Sequence, residues 1–72
     1  MSTKELEFIV FCIENTAEQI NRKGNEIFKL LTEDSGILDN YLVPCYETLH
    51  TQGKEYIVND IVDLMKEKSL LP

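Results

Sequence analysis

Apolar positions recur every three or four residues along almost the whole chain, and the two-residue alternation of a half-buried strand is missing. That period predicts helices. The first spans residues 3–20, opened by Ser2 and Glu5 at the spacing of a capping box. Leu6, Ile9, Val10, Ile13, Ala17 and Ile20 share one face of it. Phe8, Phe11 and Cys12 fall on the opposite side, so its first half is apolar nearly all round. A helix of that kind is either central in a fold or part of an interface.

The break "NRKG", punctuated by Gly24, separates a second helix over residues 25–33, with Ile27, Leu30 and Leu31 inward and Phe28 flanking. "EDSG" favours a turn. A third helix begins near Ser35 or Gly36 and points Leu38, Tyr41, Leu42, Cys45 and Leu49 inward. Pro44 removes one backbone donor and disfavours helix at Val43, which predicts a kink or a restart. The fourth helix covers residues 52–68, with Thr51 as N-cap and Ile57, Val58, Ile61, Leu64 and Met65 as its apolar face. Leu70 and Leu71 are expected to pack back on the body. The expected architecture is all-α, a compact bundle of four short helices, or five where Pro44 splits the third. No repeat or linker interrupts it, so residues 1–72 read as one domain.

Charge narrows the partners. Thirteen acidic against seven basic residues give a net charge of −6. Nucleic-acid backbones and anionic membranes both require a positive surface. Neither is expected as a partner, whereas a basic protein surface is compatible. The longest apolar run, Phe8 to Ile13, is far shorter than the roughly 20 residues of a membrane span. The start lacks a signal-peptide pattern, and Cys12 and Cys45 are too few for a disulfide framework. They read as reduced cysteines of a cytoplasmic protein. Domains this small often gain stability from a second copy of themselves.

Candidate chemistry is thin. His50 is the single histidine, within "CYETLHTQGKEY". As a general base or nucleophile partner it would have to meet Cys45, but five helical positions make the two diverge. Glu47, three positions earlier, can meet it as a surface pair. Otherwise His50 terminates the third helix, Leu49 anchors the corner in the core, Thr51 caps the next helix, and Gly53 leaves room for a neighbouring backbone. Cys12, Cys45 and His50 do not form the local ligand pairs of a structural zinc site, so no metal is expected. No phosphate loop or other cofactor motif occurs, and no small-molecule ligand is expected.

Two acidic lines remain. Tyr56, Asp60, Asp63 and Glu67 share one side of the fourth helix, and Glu7, Glu14 and Glu18 flank Phe11 on the first. Acid around an exposed aromatic suits a basic, grooved partner. The alternative is a solvated face with Phe11 covered by its own chain.

"ELEFIVFCIE", "EIFKLL" and "LHTQGKEYIVNDIVDLM" together resemble domain of unknown function 3791, a family of short proteins, over nearly the whole chain. The specific part is Leu49, His50, Thr51 and Gly53 followed by Glu55, Tyr56, Ile57, Val58, Asp60 and Ile61; Pro44 departs from the pattern. The resemblance implies a small all-helical bacterial protein without an established activity. Members often encoded near other small proteins, some resembling ADP-ribosyltransferases, imply an antitoxin-like or accessory role by analogy.

The expected function is a non-catalytic interaction module. Its partner is a protein, a second copy included as a homodimer. The candidate surface is Phe8, Phe11 and Cys12 on one side and Tyr56, Asp60 and Asp63 on the other. An antitoxin- or immunity-like partner that masks a basic cleft is the alternative, and an enzyme using His50 ranks behind both.

Overall fold

A computed structural model describes residues 2–71. The first helix, α1 (Thr3–Gln19), starts on the expected capping box. The Glu5 N–H donates to Ser2 Oγ at 3.2 Å, and the Ser2 N–H donates to Glu5 Oε1 at 2.9 Å. Two of the free donors at the helix start are thereby satisfied.

The helix stops on a left-handed residue, and this is Asn21 (φ 55°) rather than Gly24. The Arg22 N–H donates to the Ala17 carbonyl at 2.8 Å and the Asn21 N–H to Glu18 at 3.3 Å, a Schellman closure. Asparagine tolerates that conformation because its short polar side chain can bond locally. Gly24 instead opens α2 (Gly24–Thr32), where a Cβ would lie 3.7 Å from Ile13 Cγ2. The chain has therefore turned back far enough for α2 to begin beside Ile13 of α1.

Beyond α2, Ser35 Oγ donates to the Leu30 carbonyl at 2.7 Å and accepts from the Ile37 N–H at 3.2 Å. Gly36 then takes φ +73°, a conformation that a side chain would strain. The chain next winds into a π-helical turn, Leu38–Leu42, in which the Val43 N–H reaches back five residues to the Leu38 carbonyl at 3.0 Å. The wide turn ends where Pro44 has no N–H to continue it. The chain restarts as the one-turn α3 (Tyr46–Leu49), so the split expected at Pro44 is present.

The last helix, α4 (Lys54–Glu67), corrects the expected cap. Its N-cap is Gly53, without a side-chain hydrogen bond. Thr51 serves the preceding helix instead, its Oγ1 donating to the Thr48 carbonyl at 2.8 Å. A second Schellman closure ends α4. Ser69 adopts φ 60°, the Leu70 N–H donates to Met65 at 2.9 Å, and the Ser69 N–H donates to Lys66 at 3.0 Å. Leu70 and Leu71 fold onto the core as expected.

α1 is the central element, packed on both α2 and α4. Cys12, Ile27, Leu31, Leu42, Ile61 and Met65 are sealed at 0% exposure, with Phe8, Ile9, Ile37, Leu38, Leu49 and Ile57 around them. The inward face of α1 differs from the one that periodicity favours. Phe8, Ile9, Cys12, Thr16 and Ala17 are buried, whereas Leu6 and Val10 stand outside. The reason is that α1 carries two apolar lines, and period alone cannot rank them. The aromatic ring of Tyr46 and the apolar faces of α2 and α4 gather on the Phe8–Cys12 line and make it the inner one.

Candidate functional site: the histidine corner and the exposed apolar face

The corner is built from rings. Tyr46 meets Phe8 edge-on, with centroids 5.4 Å apart at 74°, and His50 stacks on the other side of Tyr46 at 4.5 Å and 12°. A one-turn helix cannot hold itself together in water. Here the ring column and the buried Leu49 fix it to α1. His50 is the C-terminal boundary of α3, as expected, but its imidazole stacks rather than bonding a free carbonyl. Its Nε2 lies 4.0 Å from Glu47 Oε2, and the Glu47 side chain is 90% exposed. A surface pair of that kind contributes little. Cys45 and His50 stand at opposite ends of α3. Gly53 is exposed at φ −72° with nothing within 4 Å of a Cβ position, so the expected close backbone approach does not occur there.

The candidate surface on α1 is corrected. Phe8 and Cys12 belong to the core, and Phe11 is half-buried against it, covered by its own chain. Burial pushes the Cys12 thiol up to about 12 from its ordinary value near 9. Both cysteines are unbonded. On α4, Tyr56 and Asp63 are exposed, but Asp60 is half-buried and accepts a short hydrogen bond from the Tyr41 hydroxyl. That bond, with burial, raises the Tyr41 pKa above the ordinary phenol range. Asp60 is therefore an internal tie and not part of a free acidic line.

Two open grooves run along the α1–α4 seam and share Gln19 and Asn59. One, of about 370 Å³, is lined by Asn15, Glu18, Lys54 and Glu55. The other, of about 410 Å³, is lined by Arg22, Asp63, Lys66 and Leu71. Both mix amides with charges of either sign. Asn15 already commits its Nδ2 to the Phe11 carbonyl at 2.8 Å. Among the described residues no three His, Cys, Asp or Glu side chains gather at metal-binding distance.

The distinctive surface is apolar. Leu6, Val10 and Phe28 are 54%, 44% and 52% exposed, alongside Tyr56. Three of these four are on α1 and α2. Leu6 and Val10, four positions apart, share one face of α1, and Phe28 stands on α2, which packs on α1. The sequence signal was the surplus apolar line on α1; periodicity assigned it to the core.

Fold and surface together define a small all-α protein whose most distinctive surface feature is an exposed apolar cluster. No described helix is long and apolar enough to cross a membrane. The chain belongs to the family described as Protein of unknown function (DUF3791), whose model matches residues 7–68. Neither the curated proteins nor the solved structures yield a match.

Proposed function

We propose that the protein is a non-catalytic interaction module of the bacterial cytoplasm that binds another protein through Leu6, Val10 and Phe28. The observation that carries this is the exposure of three large apolar side chains on the two packed helices α1 and α2, in a chain with few such residues outside its core. Single exposed apolar residues are ordinary, whereas a contiguous group marks a contact surface. The unbonded Cys12 and Cys45 suit a reducing compartment. The test is site-specific photocrosslinking inside the producing cells. A photoreactive residue at position 28 should give protein adducts that one at exposed Gln52 does not. Equal silence at both positions would sink the proposal.

A second reading keeps the antitoxin-like partner with a basic cleft. Tyr56 is 56% exposed and Asp63 stands free on the same helix, an aromatic anchor with acid nearby. Asp63→Lys would abolish co-purification with a neighbouring gene product if that face is used; unchanged recovery would remove it.

A further inference from the structure

We infer that residues 45–52, the corner between Pro44 and Gly53, form a lid that swings off the folded body as a unit and uncovers Phe8 on α1. The inference is independent of the surface proposed above. From Pro44 to Tyr56 the one buried residue is Leu49, with Cys45 and Tyr46 half-buried. Cys45 and Tyr46 rest against the core, and the Tyr46 ring meets Phe8 edge-on. The π-helical turn just before the corner is held far more firmly. Ile37, Leu38 and Leu42 are all buried there, and Tyr41 is tied to Asp60.

The hydrogen bonds of the corner are local. The Leu49 N–H donates to the Cys45 carbonyl and the His50 N–H to Tyr46, both at 2.9 Å, and the Gln52 N–H donates to Leu49 at 3.0 Å. The Cys45 and Tyr46 N–H groups reach back only to Tyr41 and Val43, at 3.0 and 3.2 Å. Thr51 bonds Thr48, and His50 faces Glu47. Among the described residues, none of the hydrogen bonds or ion pairs of residues 45–52 reaches α1, α2 or α4. Swinging the corner out therefore takes Leu49 alone from the deep core and leaves the bonds of the three longer helices closed. A segment with one deep anchor and local, exposed hydrogen bonds lies at the low end of the stability range within a fold. Both ends allow the movement. Pro44 has no N–H to bind to the π-helical turn, and Gly53 is exposed, with nothing within 4 Å of a Cβ position. Leu49, His50, Thr51 and Gly53 thus act as one device: anchor, outer ring, closing bond and hinge.

The experiment is native-state hydrogen exchange of the full chain, followed amide by amide by nuclear magnetic resonance in water and in low urea. Cys12 in α1 and Ile61 in α4 serve as references. The Leu49 and His50 amides are expected to share one protection factor, at least about thirtyfold below those of Cys12 and Ile61. They should respond weakly to urea, because the opening exposes little surface. Ile27→Val changes a sealed core residue outside the lid. It should lower the protection of Cys12 and Ile61 about three- to tenfold and leave Leu49 and His50 unchanged. Leu49→Val shortens the anchor and should lower protection at positions 49 and 50 about three- to tenfold. Equal protection of all four amides, or an equal response of all four to Ile27→Val, would show that the corner leaves only with global unfolding and overturns the inference. Lid amides indifferent to Leu49→Val would mean fraying without undocking, and overturn it too.

Discussion

Tyr41 on the π-helical turn donates its phenol hydrogen to Asp60 on α4, nineteen positions away in sequence. The bond joins the least regular segment of the chain to one of its most regular. It also determines what Asp60 can do, because a carboxylate oxygen committed to a half-buried phenol is withdrawn from an outside partner.

Tyr41→Phe keeps the ring and removes the donor. The expected cost is about 1.5–3 kcal/mol, as for a hydrogen bond to a charged group. Asp60→Asn should cost a similar amount, and the double variant less than the sum. Urea denaturation of the four proteins tests this; additive losses would show that the two side chains act independently.

Thr16 is sealed in the core, and its hydroxyl lacks a partner among the described residues. Valine has nearly the same shape without the unmet hydroxyl. Thr16→Val should therefore raise stability by about 1 kcal/mol. Thermal unfolding should show a higher midpoint.

Ser69 holds φ 60° at the end of α4. A left-handed conformation costs an L-residue roughly 1–2 kcal/mol that glycine avoids, offset in part by glycine's greater unfolded-state freedom. Ser69→Gly should gain about 0.5–1 kcal/mol. The readout is the denaturation midpoint, at constant slope.

The buried Cys12 thiol makes the fold sensitive to alkali. Below pH 9 the thiol is neutral in both folded and unfolded chains. Above it the unfolded thiol ionises, while the buried one stays protonated up to about 12. Its folded pKa is raised, so the stability it contributes is whole below pH 9 and falls as pH rises toward 12. The raised Tyr41 pKa acts in the same direction above the ordinary phenol value of about 10. Unfolding free energy measured from pH 7 to 11 should decline from near pH 9, and Cys12→Val should flatten the first part of that decline.

The two apolar lines of α1 should respond differently to charge. Phe8→Asp places a carboxylate at an 8% exposed site and should unfold the protein, whereas Leu6→Asp, at 54%, should leave the helical signal intact. Far-ultraviolet dichroism distinguishes them. Equal damage would mean that Leu6 is covered in solution by something other than a dissociable partner.

These residues also show what sequence could reveal. Ser2 and Glu5 announced the start of α1 because a capping box is a reciprocal bond between neighbours in sequence. Pro44 announced the interruption of the third helix because proline lacks a donor wherever it sits. The first and fourth helices end at residues 20 and 68 as expected, but the left-handed turn of the next residue, Asn21 and Ser69, was not legible, since glycine is the usual left-handed residue and neither is glycine. Gly53 took the N-cap position expected of Thr51 because either can precede a helix, and only the hydrogen bond to Thr48 shows where Thr51 is committed. The candidate surface was mistaken at Phe8 and Cys12 because burial of an all-round apolar helix depends on partners distant in sequence. Tyr41 and Asp60 met across nineteen positions that no local pattern spans.

The ring column at the corner has an optical consequence. The chain lacks tryptophan and has three tyrosines, so its near-ultraviolet absorption is dominated by those phenols. Tyr46 is held in a fixed, asymmetric setting, edge-on to Phe8 and flat against His50. Its transition is thereby given a handedness that a freely turning ring would lack. Opening of the α3 corner would extinguish that signal while α1, α2 and α4 kept their helical spectrum, so the protein carries an intrinsic chromophore for its shortest helix.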